Sequence, residues 1–255
     1  MSTNSDRAGG SHGLRALAEG ALRLGLPLDG VQLSRFARLR DLLLDWNMRV
    51  NLTAITDPNE IVARHFLDSL SVVLALPPAA RGDALAVLDV GAGAGFPGLP
   101  LAIVVPQWRV MLLEATGKKV RFLEAAITEL DLPNAHALAG RAEELGRGAE
   151  QRAAYDVVTA RAVAALPALL EYCTPFARPG ATLVFPKKGE LAAELAAGAR
   201  AAPLLGATLL LPPLVVPPLA GLADDRVLVT AHQDRLCPPA YPRPAGAPVK
   251  RPLGS

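Results

Sequence analysis

An α/β fold, a mostly parallel sheet with helices on both faces and a helical extension before it, follows from three observations. From Ala86 onward, short apolar runs alternate with segments of helical period, the order a parallel sheet requires. The first run, Val87-Leu88-Asp89-Val90, breaks into glycines at alternate positions, Gly91, Gly93 and Gly95. Glycine stands where backbone bends sharply or lets a ligand come close. Before Ala86, apolar residues recur at helical spacing instead.

The extension begins with polar, glycine-containing residues 1–13, expected to be disordered. Apolar residues at 14, 17, 21 and 24 mark a helix that Gly25 and Pro27 stop. A second helix is predicted from Ser34 to Val50, with Phe36, Leu39, Leu42, Leu43 and Trp46 on one side, and Asn51-Leu52-Thr53 breaks it. Asp57 is placed to cap a third, with Pro58 in its first turn. That helix runs through Arg64-His65-Phe66-Leu67-Asp68-Ser69-Leu70, and Pro77-Pro78 close the helical region, residues 14–80. In the alternating domain, 81–235, strands are predicted at 86–90, 109–114, 135–139, 155–160, 181–185, 209–216 and 226–231. Helices are predicted at 97–104, 118–130, 142–147, 166–176 and 190–200. Residues 236–255 hold so many prolines that an extended tail outside the core is expected.

With 255 residues, 51% of them apolar, the chain can bury a sizeable core. Its apolar runs are interrupted before membrane-spanning length. Residues 1–13 lack the apolar stretch of a signal peptide, so a cytoplasmic protein is expected. Two cysteines, Cys173 and Cys237, give neither a disulfide framework nor a metal cluster. A net charge of +2 does not by itself argue nucleic-acid binding. Clustering says more: of only five lysines, four fall in the pairs Lys118-Lys119 and Lys187-Lys188.

The glycine turn suits two ligand classes. A dinucleotide turn wants G-x-G-x-x-G, and Phe96 stands at the sixth position, so that pattern fails by one residue. The G-x-G-x-G form resembles the S-adenosylmethionine (SAM) loop of Rossmann-like class I methyltransferases. Glu114 ends the second strand about 20 residues past the turn, where a carboxylate accepts ribose hydroxyls. SAM and NAD share that ribose. Ala142 and Glu143 follow the third strand and could frame an adenine; acids there equally complement a helix dipole.

Arg161 stands at the sheet's carboxyl edge, where ligands of open α/β sheets bind. That edge has no Asn/Asp-Pro-Pro-aromatic element, and the two cysteines read as structural or incidental. Lys118 and Lys119 open a helix, where their charge opposes the dipole, so phosphate contact is a reason for them. Lys187 and Lys188 follow the fifth strand at the same edge, and the two pairs are candidates for one RNA-binding cleft.

Three segments together resemble the glucose-inhibited division protein B family (RsmG), the bacterial small-subunit ribosomal RNA guanine-N7 methyltransferases. They are Trp46-Asn47-x-x-x-Asn51-Leu52-Thr53-Ala54-Ile55, Arg64-His65-Phe66-Leu67-Asp68-Ser69-Leu70, and the stretch from Asp89 to Leu101. Lys118-Lys119-Val120, Arg141-Ala142-Glu143-Glu144, Arg161-Ala162 and Tyr241-Pro242-Arg243 extend the likeness from about Leu42 to Leu253. The resemblance implies a SAM-dependent enzyme acting on 16S ribosomal RNA or the small subunit, monomeric and without metal. It implies cofactor contacts at the glycine turn, Phe96, Glu114, Ala115, Thr116, Ala142, Glu143 and Arg161, with Arg161 also positioning the reaction. Guanine N7 carries a free lone pair, so no general base or nucleophile is expected. The chain departs from the family at Phe185-Pro186-Lys187-Lys188-Gly189, where apolar residues usually run straight into Lys-Gly. Pro186 cannot donate a ladder hydrogen bond, so a different end to the fifth strand is expected, with Lys187 most affected. Two other readings stand beside this one. An NAD-dependent oxidoreductase on the same fold is opposed by Phe96 and by the lack of an evident hydride-site His or Lys. A non-catalytic ribosome-assembly factor would keep only the RNA surface.

Overall fold

A computed structural model describes residues 5–222 and 225–254, with side chains from Gly13 onward. Seven strands form one sheet: β1 (Ala86–Val90), β2 (Arg109–Glu114), β3 (Ala135–Ala139), β4 (Tyr155–Thr159), β5 (Ala177–Lys188), β6 (Ala207–Val215) and β7 (Arg226–Gln233). Their order is β3-β2-β1-β4-β5-β7-β6. β1 to β5 are parallel, and β7 runs antiparallel to both β5 and β6. The order reverses between β1 and β4, which opens a crevice at the strands' carboxyl ends.

Helices α1 (Ser5–Arg23), α2 (Gly30–Val50), α3 (Pro58–Ile61) and α4 (Asp68–Leu70) precede the sheet. α5 (Gly98–Val104), α6 (Gly117–Glu129), α7 (Ala142–Leu145), α8 (Leu166–Cys173) and α9 (Ala192–Ala201) lie between strands, and α10 (Ala247–Lys250) follows them. Every residue of β1 is buried, and successive side chains enter different cores. Val87 joins a core with Phe36, Phe66 and Trp108, while Leu88 and Val90 join one with Leu169, Phe176 and Phe185. A strand's two-residue period makes that division. The N-terminal helices therefore share one core with a face of the sheet.

Four expectations are corrected. The first helix begins at Ser5, so the disorder expected of residues 1–13 does not hold from Ser5 onward; residues 1–4 lie outside the described residues. The second begins at Gly30 because Asp29 and Gln32 form a reciprocal capping box. The third is not one helix: α3 gives way to a π-helical stretch, Val62–Leu67, before α4. Finally, residues 236–254 are packed rather than an extended tail. Arg243 holds the buried Glu171 carboxylate with Nε at 2.9 Å and Nη2 at 2.6 Å, and Arg152 donates to the carbonyls of Cys237, Pro238 and Tyr241. Prolines kept the segment out of the sheet; arginines bonded to its carbonyls hold it down.

Pro186 does not end β5. The strand runs on to Lys188; pairing with β4 stops at Val184, and beyond that β5 is held by β7 alone.

Candidate active site

The glycine turn joins β1 to α5. Gly91, Gly93 and Gly95 have φ of +71°, +60° and +84°. A Cβ on Gly95 would lie 2.3 Å from Leu99 Cδ1, and one on Gly91 would lie 2.8 Å from Val163 Cγ2. All of the turn's N–H groups from Gly91 to Phe96 except that of Ala94 are spoken for. Gly91 and Ala92 donate to the carbonyl of Leu113, Gly95 and Phe96 to that of Ala92, and Gly93 to Glu114 Oε2 at 3.0 Å. A pyrophosphate needs converging unpaired N–H groups. A turn bonded inward suits an uncharged ribose and an amino-acid moiety.

Two cavities open at the crevice, of about 410 Å³ and about 320 Å³. Both are lined by Gly91, Lys119 and Ala162. The smaller one is walled by Glu114, Ala115, Ala142, Glu143 and Tyr172. Glu114 is buried at the end of β2, where its Oε1 accepts from the N–H of Thr116 at 2.7 Å. Glu143, also buried, accepts from the N–H of Gly246 at 3.1 Å, so the C-terminal segment braces this wall. Each oxygen bonded once keeps a lone pair. Two carboxylates offer acceptors for hydroxyl and amino groups, which fits a nucleoside such as the adenosine of SAM.

The larger cavity is walled by the helical region and by Arg161. Asn51 ends α2 in the left-handed conformation, φ 52°. Asn47 then clamps Thr53, donating to its carbonyl and accepting from its N–H, both at 2.9 Å. Thr53 Oγ1 lies 2.8 Å from His65 Nε2. The His65 ring lies flat on Phe96, centroids 4.6 Å apart. Arg161 lies over Phe96 and donates to the Arg64 carbonyl and to Asp68 Oδ2 at 2.7 Å. Asp68, 1% exposed, takes Arg226 on its other oxygen at 3.1 Å. Burial, aided by the Arg161 charge, pulls the His65 pKa down to about 3, so the ring is neutral. Beneath the turn, burial pushes Asp89 up to about 7, although its Oδ2 accepts from the Gly98 N–H.

The expected site residues divide between these cavities. Glu114, Ala115, Ala142 and Glu143 line the smaller, while Phe96 and Arg161 line the larger, away from the carboxylates. Gly93 lines the larger as well, and Gly95 and Thr116 line neither, Gly95 being packed on Leu99. The two lysine pairs separate. Lys119 lines both cavities, Lys188 lines the larger, and Lys118 is exposed outside them. Lys187 is the correction. Adjacent strand residues point to opposite faces, and Lys187 turns to Glu194 at 2.5 Å and the Ala164 carbonyl at 3.1 Å. Its ammonium is engaged within the fold.

Sequence reasoning assigned no role to Thr53, His65, Asp68 or Arg226. His65 and Asp68 did carry a signal, as ionisable residues three apart, and so on one helix face, in a stretch rich in apolar residues. Arg226 carried none, because it enters through its register with Lys188 across β5 and β7.

Comparison with known proteins settles the family. Residues 32–213 match the family described as rRNA small subunit methyltransferase G. A ribosomal RNA small subunit methyltransferase G from Roseiflexus sp. (strain RS-1) is 46% identical over 231 residues, 90% of this chain and 95% of that one. One from Desulfitobacterium hafniense (strain Y51) is 40% identical, covering 91% of this chain and 93% of that one. A solved structure from Klebsiella pneumoniae, named as an O-methyltransferase, matches 86% of this chain and 96% of its own with a TM-score of 0.50 at 16% identity, a likeness of fold alone. The chain belongs to the rRNA small subunit methyltransferase G family.

Proposed function

We propose that the protein transfers the methyl group of SAM to N7 of a guanine in 16S ribosomal RNA. The smaller cavity takes the donor and the larger takes the base. SAM, when bound, supplies a methyl group on a sulfonium, already electrophilic. Glu114 accepts from the ribose and holds the glycine turn through Gly93. Glu143 and the backbone of Ala142 frame the adenine from the α7 side. Arg161, braced by Asp68, forms the wall against which the acceptor base is positioned.

One observation carries the choice of acceptor atom. In the larger cavity both His65 ring nitrogens are hydrogen-bonded and both Asp68 oxygens are held by arginines. Neither is placed to take a proton from substrate. Guanine N7 presents its lone pair without losing one, so positioning and electrostatics suffice. Lys118, Lys119 and Lys188 supply the phosphate-facing rim. No helix of the described residues is long and apolar enough to cross a membrane.

Borohydride–aniline cleavage tests the reading, since it cuts RNA at 7-methylguanine. Small-subunit RNA incubated with the protein and SAM is expected to gain one cut, and NAD is expected not to bind. Methyl incorporation without a cut places the methyl on another atom. Tight RNA binding with no incorporation favours an assembly factor.

A further inference from the structure

The larger cavity contains a hydroxyl whose proton no described residue accepts. Thr53 Oγ1 takes a hydrogen bond from the backbone N–H of Ile55 at 3.0 Å. Its second neighbour is His65 Nε2, and Arg161 decides which way that bond runs. A guanidinium only donates, and Arg161 Nη2 points an N–H at His65 Nδ1 over 3.3 Å. Nδ1 is therefore the acceptor, and the single proton of the neutral ring sits on Nε2. Nε2–H donates to Thr53. A hydroxyl has two lone pairs and one proton; Ile55 and His65 occupy both lone pairs. What Thr53 has left is its O–H, in a half-buried residue that lines the cavity. Asn47 fixes the backbone that carries it.

N7 does not distinguish the purines, because guanine and adenine both offer it as an acceptor. They differ at the neighbouring position, where guanine carries the acceptor O6 and adenine the donor N6. A fixed donor in this cavity complements O6 and meets an adenine amino group donor to donor. We infer that Thr53 is a specificity-determining residue, donating its hydroxyl proton to O6 of the target base. It admits 6-oxopurines and rejects 6-aminopurines, while His65 and Arg161 act on it as positioning residues. The inference rests on the guanine-N7 reading above.

The test uses small-subunit particles assembled with guanine, hypoxanthine or 2-aminopurine at the methylated position. Hypoxanthine keeps O6; 2-aminopurine keeps N7 and the 2-amino group but lacks O6. Each is measured as a competitor of guanine methylation, after aniline cleavage has established N7 as the acceptor; a missing cut fails that reading, not this one. Wild type is expected to bind guanine and hypoxanthine about equally and 2-aminopurine about tenfold or more weaker. Thr53→Val is expected to bring guanine down to the level of 2-aminopurine, and Thr53→Ser to keep the gap. Thr53→Ala gives the same reading if the valine variant does not fold. Equal wild-type affinity for guanine and 2-aminopurine overturns the inference, however the variants behave. So does an undiminished gap in Thr53→Val or Thr53→Ala.

Discussion

The cavity beside Glu114 and the cavity beside Arg161 share Gly91 and Ala162, yet they are built by different means. The first is made of backbone turns at consecutive strand ends, with carboxylates that answer backbone N–H groups: Glu114 bonds Gly93 and Thr116, and Glu143 bonds Gly246. The second is assembled from distant segments through buried charge. Asp68 in α4 draws together Arg161, just past β4, and Arg226 at the head of β7. Backbone bonds hold the first shape largely whatever one side chain does. Ion pairs hold the second only while every partner is present.

Substitution at Asp68 breaks the comparison most sharply. Asp68→Ala leaves Arg161 and Arg226, 14% and 13% exposed, without their carboxylate. Removing one partner of a buried pair costs about 3–5 kcal/mol, to be read from the urea midpoint. An unchanged midpoint would show that the arginines find other partners and that the acceptor wall is not held by charge.

Titration sets one group from each side in opposition. His65, lowered from 6.5 to about 3, binds no proton in the fold while the unfolded chain binds one, so its contribution to stability rises with pH across that window. Asp89, raised from 3.8 to about 7, keeps a proton in the fold that the unfolded chain loses, so its contribution falls as pH rises. Between about pH 4 and 6.5 the two oppose each other, each with a slope of about 1.4 kcal/mol per pH unit. Relative to wild type, His65→Phe should lose stability with rising pH in that window and Asp89→Asn should gain it. Denaturant melts at four pH values separate these; parallel curves would mean that neither group is shifted.

The smallest effect concerns the rim. Replacing Lys118, Lys119 and Lys188 by alanine should flatten the slope of log RNA affinity against log salt by about 0.7 for each phosphate no longer neutralised, with SAM affinity little changed. Lys187→Ala should leave that slope as it is, because Lys187 is committed to Glu194. A slope that responds to Lys187 instead would reverse the division between the pair.

The sheet, the glycine turn and Glu114 were legible in the sequence because each rests on short-range periodicity or spacing. The same holds for Ala142 and Glu143, which follow a strand directly. Arg161 was legible as a residue but not in its place: it faces the helical region rather than the carboxylates, since Asp68 lies 93 positions away in the chain. The parting of Lys187 from Lys188 was not legible, because strand alternation separates the two only once β5 continues past Pro186. Burial of the C-terminal segment was hidden because prolines signal only exclusion from the sheet. The bonds from Arg152, Arg147 and Arg243 that hold it have no local pattern.

The division of labour between the cavities is tested most directly by single-turnover methyl transfer to small-subunit RNA as SAM is raised to saturation. Glu114→Ala removes acceptors from the donor side and should weaken SAM by about 1.5–3 kcal/mol, the range for hydrogen bonds to a charged group. Its rate should return toward wild type once SAM saturates. Arg161→Ala should bind SAM nearly as well as wild type and remain about tenfold or more slow at saturation. The opposite pattern, an Arg161→Ala defect cured by SAM and a Glu114→Ala defect that persists, would contradict the assignment of donor and acceptor to these two cavities.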